Sequence, residues 1–377
     1  MHIGINAHLL SDEAGYRRAG IHHYVEQVLR HLPPADDRRY TLYTRQPAGN
    51  ARPDQRRRGT PLPTERRLAR IAWEQLVWPW RARRDGLDLL HSMAFAMPRL
   101  TPCPAVVTLY DLSFVFYPDS FPALQRRYLR AVTADACRRA RRLITISESG
   151  RQDVHRVYGV PLERIDVVTP GVADVYRPLP PDEVAAFRRR HDLPERFLLH
   201  VGTLQPRKNL PLLLEALAAP GGADAPLVLA GGKGWLYDDI FARVAALGLE
   251  QRVRFAGYVD DADLPLWYNA AAALVLPSLY EGFGLPIVEA LACGTPVVAA
   301  NTSSLPEAGG EAALYFAPDD AGDLAARLRD VLDRPELAAR LRDAGPAQAR
   351  RFSWARAGQA TADVYTRALS QGEGPRR

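Results

Sequence analysis

Two glutamates, Glu281 and Glu289, flank the loop Gly282-Phe283-Gly284-Leu285 in the stretch 278-SLYEGFGLPIVEALACGTPVVAANTSSLPE-307. Pro286 suits the first turn of a helix, where its missing N–H would be unpaired in any case, and Gly294 suits the C-terminal cap. The glycines therefore stand at a helix N-terminus. There, close backbone approach, unpaired amides and the helix dipole favour an anion, most naturally a phosphate. A carboxylate on each flank is a poor phosphate ligand but a good acceptor for hydroxyls. Two diols beside a diphosphate describe a nucleotide sugar.

A second phosphate element is 200-HVGTLQPRKNL. A strand ending at Gly202, then Thr203 and a turn with Pro206, predicts that Arg207, Lys208 and Asn209 open the next helix. Of 49 basic residues only Lys208 and Lys233 are lysine. A chain that writes arginine almost everywhere keeps lysine where a compact ammonium is needed. The alternative is a pair of solvated cations, yet cations at a helix N-terminus oppose the dipole and call for an anionic partner. By contrast, 230-AGGKGW lacks the Ser/Thr of a phosphate-binding loop and the spacing of a dinucleotide fingerprint, so Gly231, Gly232 and Gly234 read as a strand-end turn and Lys233 stays unassigned.

Such residues need strands to present them. Apolar runs bounded by turn residues alternate with helical periodicity along the whole chain, the pattern of βαβ units and parallel sheets. The first half offers strands at 2-HIGIN, 40-YTLYT, 88-DLLHS, 105-AVVTLYD, 143-LITIS and 165-IDVVTPG; the second at 197-FLLHVG, 227-LVLAGG, 253-VRFAGYV, 273-ALVLPS, 297-VVAAN and 314-LYFAP. Length favours two domains over one core. The sequence predicts an α/β fold of two doubly wound domains, 1–175 and 176–353, with a final helix at about 354–370 packing back on the first.

Charge is unevenly spread. Residues 1–175 carry +9, with 27 Arg and no Lys, whereas the remainder carries −3. Trp73, Trp78, Trp80 and Tyr128 lie among the arginines, as on a surface that meets anionic lipid headgroups or phosphates; a solvated arginine-rich face is the other reading. No nucleic-acid recognition motif accompanies the charge, so nucleic acid is not an expected partner. The longest apolar runs fall short of the roughly 20 residues needed to span a bilayer, and three scattered cysteines suit a reducing compartment. A cytoplasmic chain is expected, at most peripheral to the inner face of a membrane.

The segment from Val201 to Leu369 resembles the C-terminal domain of retaining glycosyltransferases of family 4, whose GT-B fold sets two Rossmann-like domains face to face with the donor in the cleft. Glu281 and Glu289 meet the E-x7-E pattern of that family. The first half resembles its bacterial mannosyltransferase-like members more loosely, through 18-RAGIHHYVEQVLRHL, 73-WEQLVWP, 108-TLYDLSF, 145-TISESGRQD and 168-VTPGV. The resemblance implies that Glu289 takes the ribose hydroxyls and Glu281 a sugar hydroxyl, while the amides of Phe283, Gly284 and Leu285 meet the sugar and β-phosphate. It also implies that Lys208, helped by Arg207, neutralises the leaving diphosphate beside Gly202 and Thr203, and that Gly20 lets a helix N-terminus approach the same phosphates. Thr203 stands where many relatives carry arginine. In the first half, Tyr110-Asp111 stands where many carry histidine before the aspartate; Tyr110 would donate a hydrogen bond to sugar or acceptor, and Asp111 would face the cleft.

The loop 257-GYVDDADLPLW lines the nucleobase in that family, which places Val259 and Asp261 at the base. Asp261 and Asp263 could be taken for a metal motif, but Asp260 or Asp261 is better read as capping the next helix. No metal is expected. The expected reaction moves a hexose, mannose from GDP-mannose being favoured, to a glycan or lipid-linked acceptor with retention. The alternatives are a UDP-sugar-dependent transferase acting on a soluble acceptor, or a nonenzymatic nucleotide-sugar-binding protein.

Overall fold

The computed structural model describes residues 1–10, 20–34, 37–45, 52, 54–64, 66–232, 234 and 238–370. The chain divides into two units, Met1–Pro170 joined by the C-terminal stretch from Trp354, and Gly171–Ser353. The join falls at Pro170/Gly171, so residues 171–175 go with the second unit, not the first. The Val172 amide donates to the Phe352 carbonyl at 3.3 Å, which ties that stretch to the end of the second unit.

The first unit is built on seven parallel strands: β1 (His2–Asn6), β2 (Arg39–Tyr43), β3 (Gln55–Arg58), β4 (Leu89–Ser92), β5 (Ala105–Leu109), β6 (Arg142–Thr145) and β7 (Ile165–Val167), in the order β3-β2-β1-β4-β5-β6-β7. The inner strands are apolar runs because helices cover both faces of a parallel sheet. Six of the seven are legible in the sequence as apolar runs. The exception, β3, reads QRRR, a composition with no strand signature. It forms because an edge strand needs only one neighbour, and charged side chains there discourage further pairing. Gln55 Nε2 donates to the Leu29 carbonyl at 2.7 Å, and Arg58 pairs with Asp85 at 2.9 Å.

The tryptophans are a second correction. The helix Arg67–Ala72 runs into a π-turn, Trp73–Val77, in which the Trp78 amide reaches back to the Trp73 carbonyl. That five-residue bond brings Trp73 and Trp78 over one another, with ring centroids 5.8 Å apart and planes 15° apart. Both indoles are fully buried in the core beside Tyr43, Leu90 and Phe114. Of the three tryptophans read as surface residues, only Trp80 is exposed.

The last helix, Trp354–Ser370, belongs to this unit. Tyr365 Oη lies 2.7 Å from His91 Nδ1, while His91 Nε2 lies 2.9 Å from Thr108 Oγ1, a buried polar chain between helix and sheet. Arg367 reaches Asp166 at 2.9 Å. Gly358 permits the closest approach, since a Cβ there would lie 2.0 Å from the His31 carbonyl oxygen.

The second unit carries six parallel strands: β8 (Leu198–Val201), β9 (Leu227–Ala230), β10 (Val253–Gly257), β11 (Ala273–Leu276), β12 (Val297–Ala300) and β13 (Ala313–Phe316), in the order β10-β9-β8-β11-β12-β13. All six are found by sequence analysis. Leu198 pairs with Ala273 and Leu199 with Leu274, so β8 and β11 are neighbours although β9 and β10 separate them in the chain. The winding direction reverses between them. In an open sheet of this kind the loops diverge at that point and leave a crevice beyond the carboxyl ends of the two strands.

Replacing Gly358 by alanine should drive the helix off His31 and cost about 1–3 kcal/mol. Urea unfolding followed by circular dichroism checks this; an unchanged midpoint would show that the contact relaxes freely.

Candidate functional site

The crevice of the second unit is where Glu281, Arg207 and Lys208 meet. After β8 the chain passes Gly202 and Thr203 into a 3-10 turn, Pro206–Lys208, and the helix Leu210–Ala218 begins only afterwards. Arg207 and Lys208 thus precede the helix and do not open it. Asn209 turns the chain between the two in the left-handed conformation, φ 52°, which asparagine tolerates better than most side chains. Its Nδ2 donates to the Pro318 carbonyl at 3.0 Å.

This turn sets both cations on one carboxylate. Lys208 Nζ donates to Glu281 Oε1 at 2.5 Å and Arg207 Nη1 to Glu281 Oε2 at 2.7 Å. Neither is a solvated helix-start residue. Ser278 Oγ adds a third bond to Oε1 at 2.7 Å. Burial pushes the Glu281 carboxyl up, but the charges of Arg207 and Lys208 and the hydrogen bonds from Lys208 and Ser278 outweigh it, holding the group well below the usual carboxylate range. The backbone is fixed just as firmly. The Glu281 amide donates to Ser303 Oγ at 3.0 Å, and Ser304 Oγ donates to the Glu281 carbonyl at 2.9 Å. The small polar residues after β12 thereby find their purpose, which sequence analysis leaves open.

Gly202 shapes the floor of the site. A Cβ there would stand 3.2 Å from Lys208 Cε. Across it, Gly231 packs so closely that a Cβ would lie 2.0 Å from the Gly202 carbonyl oxygen, while the Gly234 amide donates to the Leu204 carbonyl at 3.1 Å. Thr203 is half-buried beside them. Lys233 lies outside the described residues.

Glu289 sits in a different medium. The helix Leu285–Ala292 starts after Gly284, whose φ of 107° favours glycine, and ends at Gly294 with φ 73°. At its start Pro286 has no amide and the Ile287 amide turns back to the Gly284 carbonyl at 2.9 Å, so the amides left to meet a ligand are those of the loop and of Leu285. The Phe283 ring is buried against Phe352, centroids 5.2 Å apart, so only its backbone can serve a ligand. Gly282 and Leu285 are half-buried. One turn into the helix, Glu289 accepts from Tyr268 Oη at 2.7 Å. Burial pushes its carboxyl up to about 7; hydrogen bonds from Tyr268 and Tyr176 pull it down, while the charge of Asp261 pushes it further up. Asp261 therefore shares a neighbourhood with Glu289, on an exposed loop with half-buried Val259. It does not cap the following helix, and nor does Asp260. That helix starts at Leu264 with Asp263 at the cap position and no side-chain cap bond.

The remaining candidates belong to the first unit. Gly20 precedes the helix Ile21–His31 with φ 65°, exposed and with no heavy atom within 4 Å of where a Cβ would be; Arg18 and Ala19 lie outside the described residues. Asp111 follows β5 and accepts at Oδ1 from the Ser113 amide and hydroxyl, at 2.9 and 2.6 Å. Tyr110 is corrected as a donor to substrate. Its single hydroxyl proton goes to the Met93 carbonyl at 2.6 Å, and its ring is buried between Tyr24 and Phe95. Residues that sequence analysis missed are Ser278, Ser303, Tyr176, Tyr268 and His200. Ser278 could be guessed from its place in the same loop as Glu281; the others reach the site only through the fold. Among the described residues no group of three or more His, Cys, Asp or Glu side chains is placed to hold a metal ion.

The comparisons with known proteins bear on the family and the fold. The chain matches the family described as Glycosyl transferases group 1 over residues 182–348 and that described as Glycosyltransferase Family 4 over residues 18–174. It is 34% identical over 289 residues to the O-antigen chain mannosyltransferase B of Escherichia coli, covering 75% of this chain and 76% of that protein. It is 38% identical over 244 residues to the D-inositol 3-phosphate glycosyltransferase 2 of Catenulispora acidiphila, where the match covers 61% of this chain and 57% of the relative. The structure of a sucrose-phosphate synthase from Thermosynechococcus elongatus superposes with a TM-score of 0.79 at 23% identity, over 98% of this chain and 100% of the other.

Glu289 predicts a pH dependence of stability. Between 4.5, its ordinary value, and about 7, the folded chain holds a proton that the unfolded chain has released. This group therefore stabilises the fold at low pH and loses that contribution as pH rises through the window. The melting temperature of the wild type, measured against Glu289→Gln, should fall from pH 5 to pH 8. A difference that stays constant would mean that Glu289 titrates like an exposed glutamate.

Proposed function

This chain belongs to glycosyltransferase family 4 and has the GT-B fold, and from that premise we propose that it transfers mannose from GDP-mannose to a glycan or lipid-linked acceptor with retention at the anomeric carbon. The observation that carries the reading is the cluster Lys208-Glu281-Arg207 at the crevice between β8 and β11, in which Lys208 is buried and its two partners are half-buried. Two cations on one carboxylate leave a net positive charge where a diphosphate would sit, and the start of the helix Leu285–Ala292 adds its dipole. In the proposed reaction the bond from the anomeric carbon to the diphosphate oxygen breaks, and a bond to the acceptor oxygen forms on the same face. The acceptor proton passes to the departing diphosphate. Lys208 and Arg207 stabilise the charge that develops there, so positioning and electrostatics supply the catalysis without a metal.

Mannose is favoured by the likeness to the O-antigen chain mannosyltransferase B. Guanine is favoured by Asp261 beside Glu289, because a carboxylate accepts the paired N–H groups of the guanine edge and uracil offers no such pair. The inositol phosphate relative supports a second reading, transfer from a UDP-sugar to a soluble acceptor. A binding protein without turnover is the third reading, and a donor panel separates it from the others.

The first unit supports an acceptor presented at an anionic membrane surface on the cytoplasmic side. Leu68, Leu76, Trp80, Leu100 and Leu124 are exposed on that unit, most of which lies within the stretch 1–175 that carries +9. Among the described residues no helix is long and apolar enough to cross a membrane. Attraction of arginines to anionic lipid is worth about 1 kcal/mol per residue near the surface and weakens with salt.

Three measurements test these proposals. With excess chelator present, GDP-mannose should be turned over in preference to UDP-sugars, and calorimetry should show GDP binding that Lys208→Ala weakens by about 1.5–3 kcal/mol. Preference for UDP, or rate loss restored by a divalent metal, rejects the donor or metal part of the reading. Co-sedimentation should be stronger with phosphatidylglycerol vesicles than with phosphatidylcholine vesicles and should fade at high salt; no binding to either at low salt favours the soluble acceptor.

A further inference from the structure

His200 lies on β8, two residues before Gly202, and has no exposed surface. Its Nδ1 stands 3.0 Å from the Val275 carbonyl oxygen. A carbonyl can only accept, so Nδ1 carries the proton and Nε2 carries a lone pair. Burial, reinforced by the Lys208 charge, pushes the imidazole down to about 4, which leaves it neutral near pH 7. Nε2 is buried and has no hydrogen-bond partner. A Cβ at Gly202 would lie 3.4 Å from His200 Nε2 and 3.4 Å from Lys208 Nζ, so lone pair and ammonium border the same small space, kept open by the missing side chain.

A buried acceptor left bare costs the fold its full desolvation. A neighbour able to relieve that cost is the Lys208 ammonium, which in the free chain donates to Glu281 Oε1. Building on the reading of this cluster as a diphosphate site, we propose that His200 is a positioning residue for Lys208: when a diphosphate draws the ammonium away from Glu281, His200 Nε2 accepts one of its N–H bonds and holds another toward the phosphate. The exchange also opens one acceptor position on Glu281 Oε1 for a sugar hydroxyl, while Ser278 still donates to that oxygen. A neutral imidazole suits the task because it steadies the ammonium without cancelling the charge that the phosphate needs; a carboxylate at the same place would neutralise it. The bound arrangement satisfies an acceptor that the free one leaves bare, so His200 contributes differentially to the bound state, which is what shifts an equilibrium.

The test separates positioning from packing by using the two ring nitrogens separately. Glutamine at 200 places an acceptor near the level of Nε2; asparagine keeps a donor for the Val275 carbonyl but is too short to reach Lys208. Calorimetric titration of the full chain with GDP and with UDP, alongside thermal melting, compares the wild type with His200→Gln, His200→Asn and His200→Phe. For the nucleotide that the wild type prefers, His200→Asn and His200→Phe should bind at least about tenfold more weakly, and His200→Gln should recover most of the loss whatever its melting temperature. Wild-type affinity in His200→Asn, or a folded His200→Gln as weak as His200→Asn, overturns the proposal. If His200→Phe does not fold, the asparagine and glutamine variants decide the matter between them. A wild type that binds neither nucleotide removes the diphosphate reading, and the role of His200 with it; a wild type that binds while all variants match it removes the role of His200 alone.

Discussion

A single carboxylate, Glu281, held between Lys208 and Arg207, ties together the loops of the second unit's crevice. The three groups come from two loops that the chain separates by some seventy residues, and their ion pairs are the stitch between the ends of β8 and β11. Removing one member of a buried ion pair typically costs about 3–5 kcal/mol, because the partner is left as an uncompensated charge. The Leu279 amide, which donates to the Arg207 carbonyl at 2.9 Å, and Arg207 Nη1, which also donates to the Tyr280 carbonyl at 2.9 Å, repeat the stitch in the backbone. The loop after β12 clamps the same glutamate from the other side. Three strand ends therefore converge on one residue, those of β8 and β11 on the Glu281 carboxylate and that of β12 on its backbone.

The two glutamates of the motif are opposites in electrostatic terms. Glu281 is buried but surrounded by cations and donors, so it stays ionised at any ordinary pH. Glu289 is buried among tyrosines with a carboxylate nearby, so its charge is in balance near neutrality. A permanent anion serves as counter-ion to Lys208 and Arg207. A carboxyl poised near neutrality can instead become a full hydrogen-bond acceptor when hydroxyls arrive to stabilise its charge. Environments that drive two like residues apart are how one sequence motif supplies two kinds of chemistry.

In the first unit the arginine-rich composition divides among several tasks. Arg142 is nearly buried and meets Asp166 at 2.6 Å beside β6 and β7; Arg164 bonds the Ala140 carbonyl at 2.5 Å at a helix end; Arg58 anchors the edge strand β3 to Asp85. These guanidiniums stitch elements together, because a planar fork can bond several carbonyl or carboxylate oxygens at once. Net charge alone cannot distinguish them from arginines that face solvent. The same holds for the tryptophans, where a π-turn turns two of three inward.

The sequence by itself determined the parallel-strand architecture, twelve of the thirteen strands, the helix begun by Gly284-Leu285-Pro286, and the choice of Glu281, Glu289, Arg207 and Lys208 as the residues worth following. Those features are local: strand runs, glycine and proline positions, and a rare lysine are legible because each depends on neighbours a few residues away. What only the tertiary structure decided is which groups touch. The pairing of Glu281 with both cations, the tyrosines on Glu289, the bare nitrogen of His200 beside Lys208, the closure of Tyr110 on Met93 and the burial of Trp73 and Trp78 all depend on contacts between segments remote in the chain or on the exact pitch of one helical turn. Charge states follow the same rule. A carboxyl's pKa is set by the burial and the partners that folding brings to it, and residue type alone carries neither.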